Sequence, residues 1–207
     1  MRKMIFATVA LVGVTAFATW SLCDDKPAAA AGATAAPTPE MQAQMEAWAK
    51  LAQPGPQHEM LKMMEGTFTT DVTSGMPGMP EQKSTGKTVN AMVLGGRYLQ
   101  QKFEGTMDGQ PFTGVGYTGY DNNKKKFVGT WMDTMSTTIL NMEGTADAAG
   151  KVITMTATYD DPMTGKPTSM RTVTTVVSSD KHTFDMYMPG PDGKEFKGMT
   201  IVYTRAK

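Results

Sequence analysis

The chain has 207 residues, and its 20 Lys and Arg are balanced by 20 Asp and Glu, so the formal net charge is zero. Because there is no basic excess, the composition argues against a nucleic-acid partner. Roughly 150 residues remain once the two ends are set aside, which suits one domain with a sizeable core.

The N-terminal segment predicts export. Residues 1–22 carry a short basic start, an apolar run too short to span a membrane, and small residues at its end, which is the pattern of a secretory signal peptide. We therefore expect a periplasmic or extracellular protein. The single cysteine, Cys23, follows directly, and its lipidation is the alternative that would tie the protein to a membrane. Residues 23–39 are rich in Ala, Pro and Thr, which predicts a disordered tether.

Residues 40–65 predict a helical segment in two parts. Strong helix formers fill the first part, where Met41, Met45 and Trp48 recur at helical spacing. The sequence QPGPQ then breaks the helix, and a second short apolar periodicity follows it. We therefore expect one or two short helices ahead of the main domain.

Residues 66–207 change in character and predict strands. About ten segments rich in Thr, Val and aromatic residues alternate with turns that contain Asp, Asn and Gly. So many consecutive hairpins would leave exposed edges unless the sheet closes. The sequence therefore predicts an all-β fold, a closed antiparallel up-and-down barrel of about eight to ten strands that is wide enough for one small ligand.

Strand alternation selects candidate ligand-binding residues. In four segments one face carries side chains suited to line a pocket, and the predicted ligand contacts are Arg97, Gln101, Trp131, Asp133, Arg171 and Tyr203. The face that begins at Arg171 is predicted to continue to Val177. A carboxylate inside the barrel is costly without a cation, so Asp133 is expected to pair with Arg97 or Arg171. The alternative is that Asp133 caps the following turn and Trp131 is ordinary core.

Several motifs together resemble a known family. The segments LGGRYLQQKFEGT, WMDTMSTTI and HTFDMYMPGPDGKEFK resemble a bacterial family of secreted domains of unknown function, often described as lipocalin-like or calycin-type barrels. The resemblance covers about Pro54 to Lys207. It implies the barrel and the exported location, and it implies no reaction. The stretch MEGTF, with Gly66 and Phe68, is similar to the Gly-x-Trp motif of calycin barrels, where a short helix closes one end.

The favoured function is binding of one apolar or amphipathic small molecule, with Trp131, Tyr203 and methionines as the apolar wall and the other predicted contacts as the polar end. The alternative from a different class is a pocket enzyme of the isomerase or lyase type. It would use Asp133 or Glu143 as general acid or base.

No cofactor and no metal site are predicted as the leading interpretation. The predicted barrel lacks cysteine, and the chain has only two histidines, His58 and His182, which are too few and too far apart for zinc or haem ligation. We expect both histidines to be structural or solvent-facing. A third hypothesis keeps a metal, since the thioethers of Met76 and Met79 in one loop would suit Cu(I).

Overall fold

The structure, a computed structural model, describes residues 36–107, 109–190 and 192–207. The predicted signal peptide and most of the predicted tether therefore lie outside the described residues. Two helices come first, α1 (Pro39–Leu51) and α2 (Pro56–Lys62), as predicted. No helix in the described part of the chain is long and apolar enough to cross a membrane.

Ten strands follow α2: β1 (Gly66–Ser74), β2 (Gln82–Val93), β3 (Tyr98–Met107), β4 (Gln110–Asp121), β5 (Lys126–Asp133), β6 (Leu140–Ala146), β7 (Val152–Asp160), β8 (Pro167–Ser178), β9 (Lys181–Pro189) and β10 (Glu195–Arg205). Each pairs antiparallel with its neighbours in chain order, and β1 also pairs with β10. The predicted closed up-and-down barrel is confirmed.

Aspartate side chains hold several of the hairpin turns. The Oδ1 atom of Asp121 accepts the backbone N–H groups of Asn123 and Lys124, and Asp161 does the same for the two N–H groups that start its turn. Asp147 accepts two backbone N–H groups on the far side of its turn. These contacts explain why the segments rich in Asp and Asn predict the strand boundaries well.

The end of the barrel covered by α2 is called here the upper end. Leu61 of α2 is fully buried, and Met60 and Met64 pack in the same cluster. The strands contribute Leu99, Phe127, Ile153, Met155 and Val176 to it. Full burial of each such side chain contributes about 1.5–3 kcal/mol. This cluster therefore fixes the closing helix on the barrel.

The opposite end is called the lower end, and the described elements place no helix there. Val72, Phe103 and Phe112 form a smaller cluster on one side of it, with the two phenylalanine rings edge to face at 5.6 Å. Trp131 and Ile201 pack against this cluster while staying partly exposed. The lower end is therefore less completely filled than the upper end.

The junction between the closing helix and β1 is built on a glycine. Gly66 has a φ of +133°, and a Cβ atom at this position would overlap the guanidinium of Arg205. That guanidinium lies over the Phe68 ring, with the carbon atom Cζ 4.7 Å from the ring centroid. It also donates hydrogen bonds to the backbone carbonyls of Glu65 and Ser179. The last strand is thereby tied to the start of the first.

Gly66→Ala should lower the free energy of unfolding by about 2 kcal/mol, because alanine is strained at this positive φ and displaces Arg205. The matched control is Gly75→Ala, where an added Cβ would make only an ordinary contact, 3.6 Å from Glu81 Cα. Urea denaturation of the two variants provides the comparison. Equal stabilities would show that the junction does not depend on glycine.

Candidate ligand-binding site

The inner faces predicted for β3, β5 and β10 are confirmed. Leu99 and Phe103 of β3 are buried, and Gln101 lies between them on the same face. Tyr203 of β10 is buried, and Trp131 of β5 packs against the interior cluster that contains Phe103. Gln101, Trp131 and Tyr203 therefore face the interior, as alternation indicates.

The inner face predicted for β8 is wrong. Thr172 and Val176 are the buried residues of this strand, whereas Val177 is 55% exposed. Arg171 lies on the outer face, where its Nε atom donates to a carboxylate oxygen of Glu195 at 3.0 Å and its guanidinium covers the Tyr187 ring. Thr and Val occupy both faces of β8, so alternation carries no contrast there. Arg171 lies on the outer face because its ion-pair partner, Glu195, is there.

Arg97 is not on an inner strand face either. It ends the turn between β2 and β3, and its Nη1 atom donates to the backbone carbonyl of Leu94 at 3.1 Å. Register places it near the upper end, because Leu99 pairs with Thr118, whereas Asp133 pairs with Gly114 further down β4. The predicted pairing of Asp133 with an arginine is therefore wrong.

Asp133 instead accepts hydrogen bonds from residues close to it in the sequence. Its Oδ2 atom accepts the indole N–H of Trp131 at 2.8 Å, and its Oδ1 atom accepts the backbone N–H of Met135 at 2.9 Å. The turn-capping alternative is confirmed, with an indole contact added. The Trp131 ring lies on the neighbouring strand where Gly114 and Gly116 leave room, since a Cβ at either position would overlap the ring.

These contacts weaken the enzyme hypothesis, because each of its two carboxylates already has a stabilising partner. Both oxygens of Asp133 are occupied as hydrogen-bond acceptors. Glu143 lies on the outer face of β6, where the Lys126 ammonium is 2.6 Å from Oε1 and lowers the pKa of Glu143. The copper hypothesis stays a prediction, with Met76 and Met79 both exposed in the loop between β1 and β2.

Asp133→Asn should cost about 1 kcal/mol of stability, the value of one hydrogen bond, and not the larger penalty of a broken buried ion pair. Asparagine keeps the acceptor for Met135 but presents an NH₂ group to the indole N–H of Trp131. Asp161→Asn is the control, because Asp161 caps a turn without an indole contact. Thermal denaturation should separate the two variants, and a loss as small as that of the control would contradict the indole contact.

A small cavity of about 50 Å³ lies inside the barrel below α2. Six polar side chains line it, and together they are called the polar layer: Asn90, Gln101, Thr118, Thr174, His182 and Tyr203. The apolar lining comes from Met64, Leu99, Ile153, Met155 and Phe184. No Asp, Glu, Lys or Arg is among these lining residues. The polar part of the cavity lining is therefore made of uncharged residue types and neutral or weakly basic rings.

His182 and Tyr203 form the centre of the polar layer. Their rings stack with centroids 4.2 Å apart, and the Tyr203 hydroxyl oxygen accepts a hydrogen bond from Gln101 Nε2 at 3.3 Å. Burial, helped by the charge of Arg205, lowers the pKa of His182 to about 4. Burial also raises the pKa of Tyr203 to about 12. Both groups are consequently uncharged at neutral pH.

Three buried polar atoms near this layer have no hydrogen-bond partner among the described residues. They are Thr70 Oγ1, Thr88 Oγ1 and Asn90 Oδ1. The amide nitrogen of Asn90 donates to the Met64 carbonyl at 2.9 Å, which fixes the side chain and leaves its oxygen as a free acceptor. Such buried atoms usually bind water or a ligand group.

Below the polar layer, apolar side chains face inward yet stay partly exposed. We call this group the lower mouth: Trp131, Leu140, Tyr159, Met170, Met186 and Met199. Their cross-strand partners establish the inward direction, because directly opposite residues share a face. Met170 lies opposite fully buried Ala157, and Met186 lies opposite buried Thr172. These inward-facing apolar side chains therefore stay partly accessible to solvent.

One strand connects the polar layer to the lower mouth. The inward-facing residues of β9 are, in order, His182, Phe184, Met186 and Met188. His182 and Phe184 line the cavity, and the two methionines continue toward the lower end. His182, expected to be structural or solvent-facing, is the second residue of β9 and is buried. The alternation of HTFDMYM, with Asp185 facing out, is the signal that could have found it.

Two larger grooves lie elsewhere, on the surface. One, of about 330 Å³, runs beside Trp48, Arg97 and Tyr98, and the other, of about 570 Å³, follows the outer faces of β4 to β7. Neither is lined by the buried, unpartnered polar atoms that distinguish the interior. The interior is therefore the candidate site.

Comparison with known proteins shows similar folds and a matching family. The fold is similar to Rv2717c from M. tuberculosis, with 15% sequence identity, a TM-score of 0.57 and coverage of 75% of this chain and 100% of that chain. It is also similar to the S-type phycobiliprotein lyase CPES from Guillardia theta, with 10% identity, a TM-score of 0.52 and coverage of 72% and 92%. No curated protein matches the chain. The family described as "Protein of unknown function (DUF1579)" matches residues 53–205, most of the chain, and the protein therefore belongs to that family.

Proposed function

We propose that the protein is an exported barrel that binds one small amphipathic molecule, with its apolar tail in the lower mouth and its polar head at the polar layer. A single observation carries this proposal. Inward-facing apolar side chains remain partly exposed toward the lower end, and the cavity above them is lined by Asn90, whose Oδ1 atom has no partner among the described residues. A barrel that served only as a scaffold would be more stable if these apolar side chains were fully buried and if each buried polar atom had a hydrogen-bond partner.

The volumes decide how such a ligand would lie. Pockets that enclose a whole small ligand usually measure about 300–1,000 Å³. The interior cavity, at about 50 Å³, holds only a head group of a few atoms or a few waters. The rest of the ligand therefore occupies the lower mouth. Methionines such as Met170 and Met186 adapt to ligands of different shape because their side chains are unbranched and flexible.

Of the residues predicted from the sequence, we assign ligand contacts to Gln101, Tyr203 and Trp131. Gln101 and Tyr203 reach the head from the polar layer, and the Trp131 indole forms part of the apolar wall.

Export rests on the pattern of residues 1–22, and mass spectrometry of the mature N-terminus tests it directly. The fold is also that of a phycobiliprotein lyase, and the enzyme alternative here would need a catalytic group other than Asp133 or Glu143.

Two neighbouring positions of β8 provide a matched test of ligand binding. Met170 faces the lower mouth, whereas Ser169 is exposed on the outer face. Met170→Lys places an ammonium where the tail lies and should weaken binding of decan-1-ol at least about 10-fold, because the charge must lose water or block the site. Ser169→Lys adds the same charge outside and should leave the affinity unchanged. Titration calorimetry compares them, and equal affinities, or no binding by the wild-type protein, would contradict the proposal.

A further inference from the structure

The polar layer offers no charge to a bound head group. Its histidine and tyrosine are both neutral, and its remaining members are amides and threonine hydroxyls. His182 stacks on Tyr203, and the Phe68 ring lies edge to face against His182 at 4.7 Å, so aromatic rings cover much of the imidazole. An ionised head placed here would lose its hydration without gaining a counter-ion.

Charged groups at the two ends of the barrel are already engaged. Asp133, at the lower end, accepts hydrogen bonds from Trp131 and Met135 on its two oxygens. Arg205, at the upper end, donates to Asp180 and to backbone carbonyls, and the Phe68 ring lies against it. Neither side chain lines the cavity. Neither therefore lies where it could neutralise a head group bound in the cavity.

The unpartnered atoms specify what the head must offer. Asn90 Oδ1 can only accept a hydrogen bond, and it lies beside Gln101, its cross-strand partner on β2 and β3. Neutral His182 offers one donor and one acceptor nitrogen. A head that donates as well as accepts can satisfy both kinds of group. A head that only accepts leaves the Asn90 oxygen unpaired.

From these contacts, and resting on the function proposed above, we propose that the ligand head is an uncharged hydrogen-bond donor and acceptor, such as the hydroxyl of a long-chain alcohol or the carboxamide of a long-chain amide. Ionised amphiphiles of the same chain length, carboxylates and ammonium ions alike, are excluded. The site thus discriminates mainly by the charge of the head group, and more weakly by whether the head group can donate a hydrogen bond.

A series of ligands with one common tail tests this proposal on the wild-type protein near neutral pH. We expect decan-1-ol and decanamide to bind at least about 100-fold more tightly than decanoate or decylammonium, since desolvating an unpaired ion outweighs any contact the neutral layer makes with it. Decyl methyl ether, which is neutral but cannot donate, should bind about 10-fold more weakly than decan-1-ol, the effect of one lost hydrogen bond.

The variant Asn90→Leu removes the free acceptor at nearly constant volume. It should bring the affinities for decan-1-ol and decyl methyl ether together while leaving decanoate excluded. This variant also loses the hydrogen bond to the Met64 carbonyl, so its circular dichroism and melting curve are compared with those of the wild type first. If it does not fold, the wild-type series decides the matter alone.

The outcomes separate the inference from the function on which it rests. Binding of the alcohol and the amide, with exclusion of both ions, supports the inference. Binding of decanoate or decylammonium as tightly as the alcohol would overturn the inference and retain the ligand-binding barrel. Binding of no member of the series would overturn both.

Discussion

Phe68→Ala is expected to lower the free energy of unfolding by about 4 kcal/mol, the middle of the range for loss of a buried aromatic ring. Phe68 has no exposed surface and is the second residue after the glycine that starts the closing junction. Its ring contacts the Arg205 guanidinium and the His182 imidazole. The substitution therefore removes apolar packing and one wall of the polar layer together.

Tyr187→Ala is the control for Phe68→Ala, because Tyr187 is an aromatic residue on the outer face of β9, between Arg171 and Lys197. Surface substitutions of this kind should cost about 1 kcal/mol or less. Urea denaturation monitored by circular dichroism measures both variants. A loss for Phe68→Ala no larger than that for Tyr187→Ala would show that the junction contributes little to the barrel.

Acid is expected to destabilise the protein through His182 by about 3 kcal/mol between pH 6.5 and pH 4, from a pKa difference worth about 1.4 kcal/mol per unit. The pKa of His182 is about 4 in the folded protein and near its ordinary value of 6.5 in the unfolded chain. Between these values the unfolded chain binds more protons. The stability contribution is therefore complete above pH 6.5 and is lost as the pH falls toward 4.

The difference in the free energy of unfolding between the wild type and His182→Gln, measured as a function of pH, isolates the titration of His182. Glu143 and Glu195, whose pKa values are lowered by Lys126 and Arg171, also contribute stability that is lost in acid, but they titrate in both proteins, so their contribution cancels in the difference. Denaturation at several pH values should show the wild type losing about 3 kcal/mol more stability than the variant between pH 6.5 and 4. Parallel curves would mean that the imidazole is accessible to protons in the folded protein.

The barrel could be predicted from the sequence because its local signals agree with one another. Turn aspartates and glycines mark the hairpins, and strand faces are readable where charge and apolar side chains alternate, as on β3 between Leu99 and Lys102. On β8 the same rule failed, since Thr and Val occupy both faces. The position of Arg171 depends on Glu195 of β10, which only the folded sheet brings near.

The candidate site was harder to predict than the barrel. An Asp two residues after a Trp suggested a long-range ion pair, but Asp133 satisfies both of its oxygens within its own segment. The polar layer depends on register between distant strands, such as the placement of Asn90 beside Gln101. The cavity depends on side-chain volumes summed across all the strands. No local pattern encodes either of these quantities.

The methionines of the protein allow the binding site to be located directly. With ¹³C-methyl labels on methionine, NMR spectra can be recorded before and after addition of decan-1-ol. The account predicts shifts at Met170, Met186 and Met199, which face the lower mouth, and unchanged signals from the exposed Met45 and Met163. Shifts confined to the exposed methionines, or no shifts at any methyl group, would contradict the central claim that the barrel binds an amphipathic molecule through its lower end.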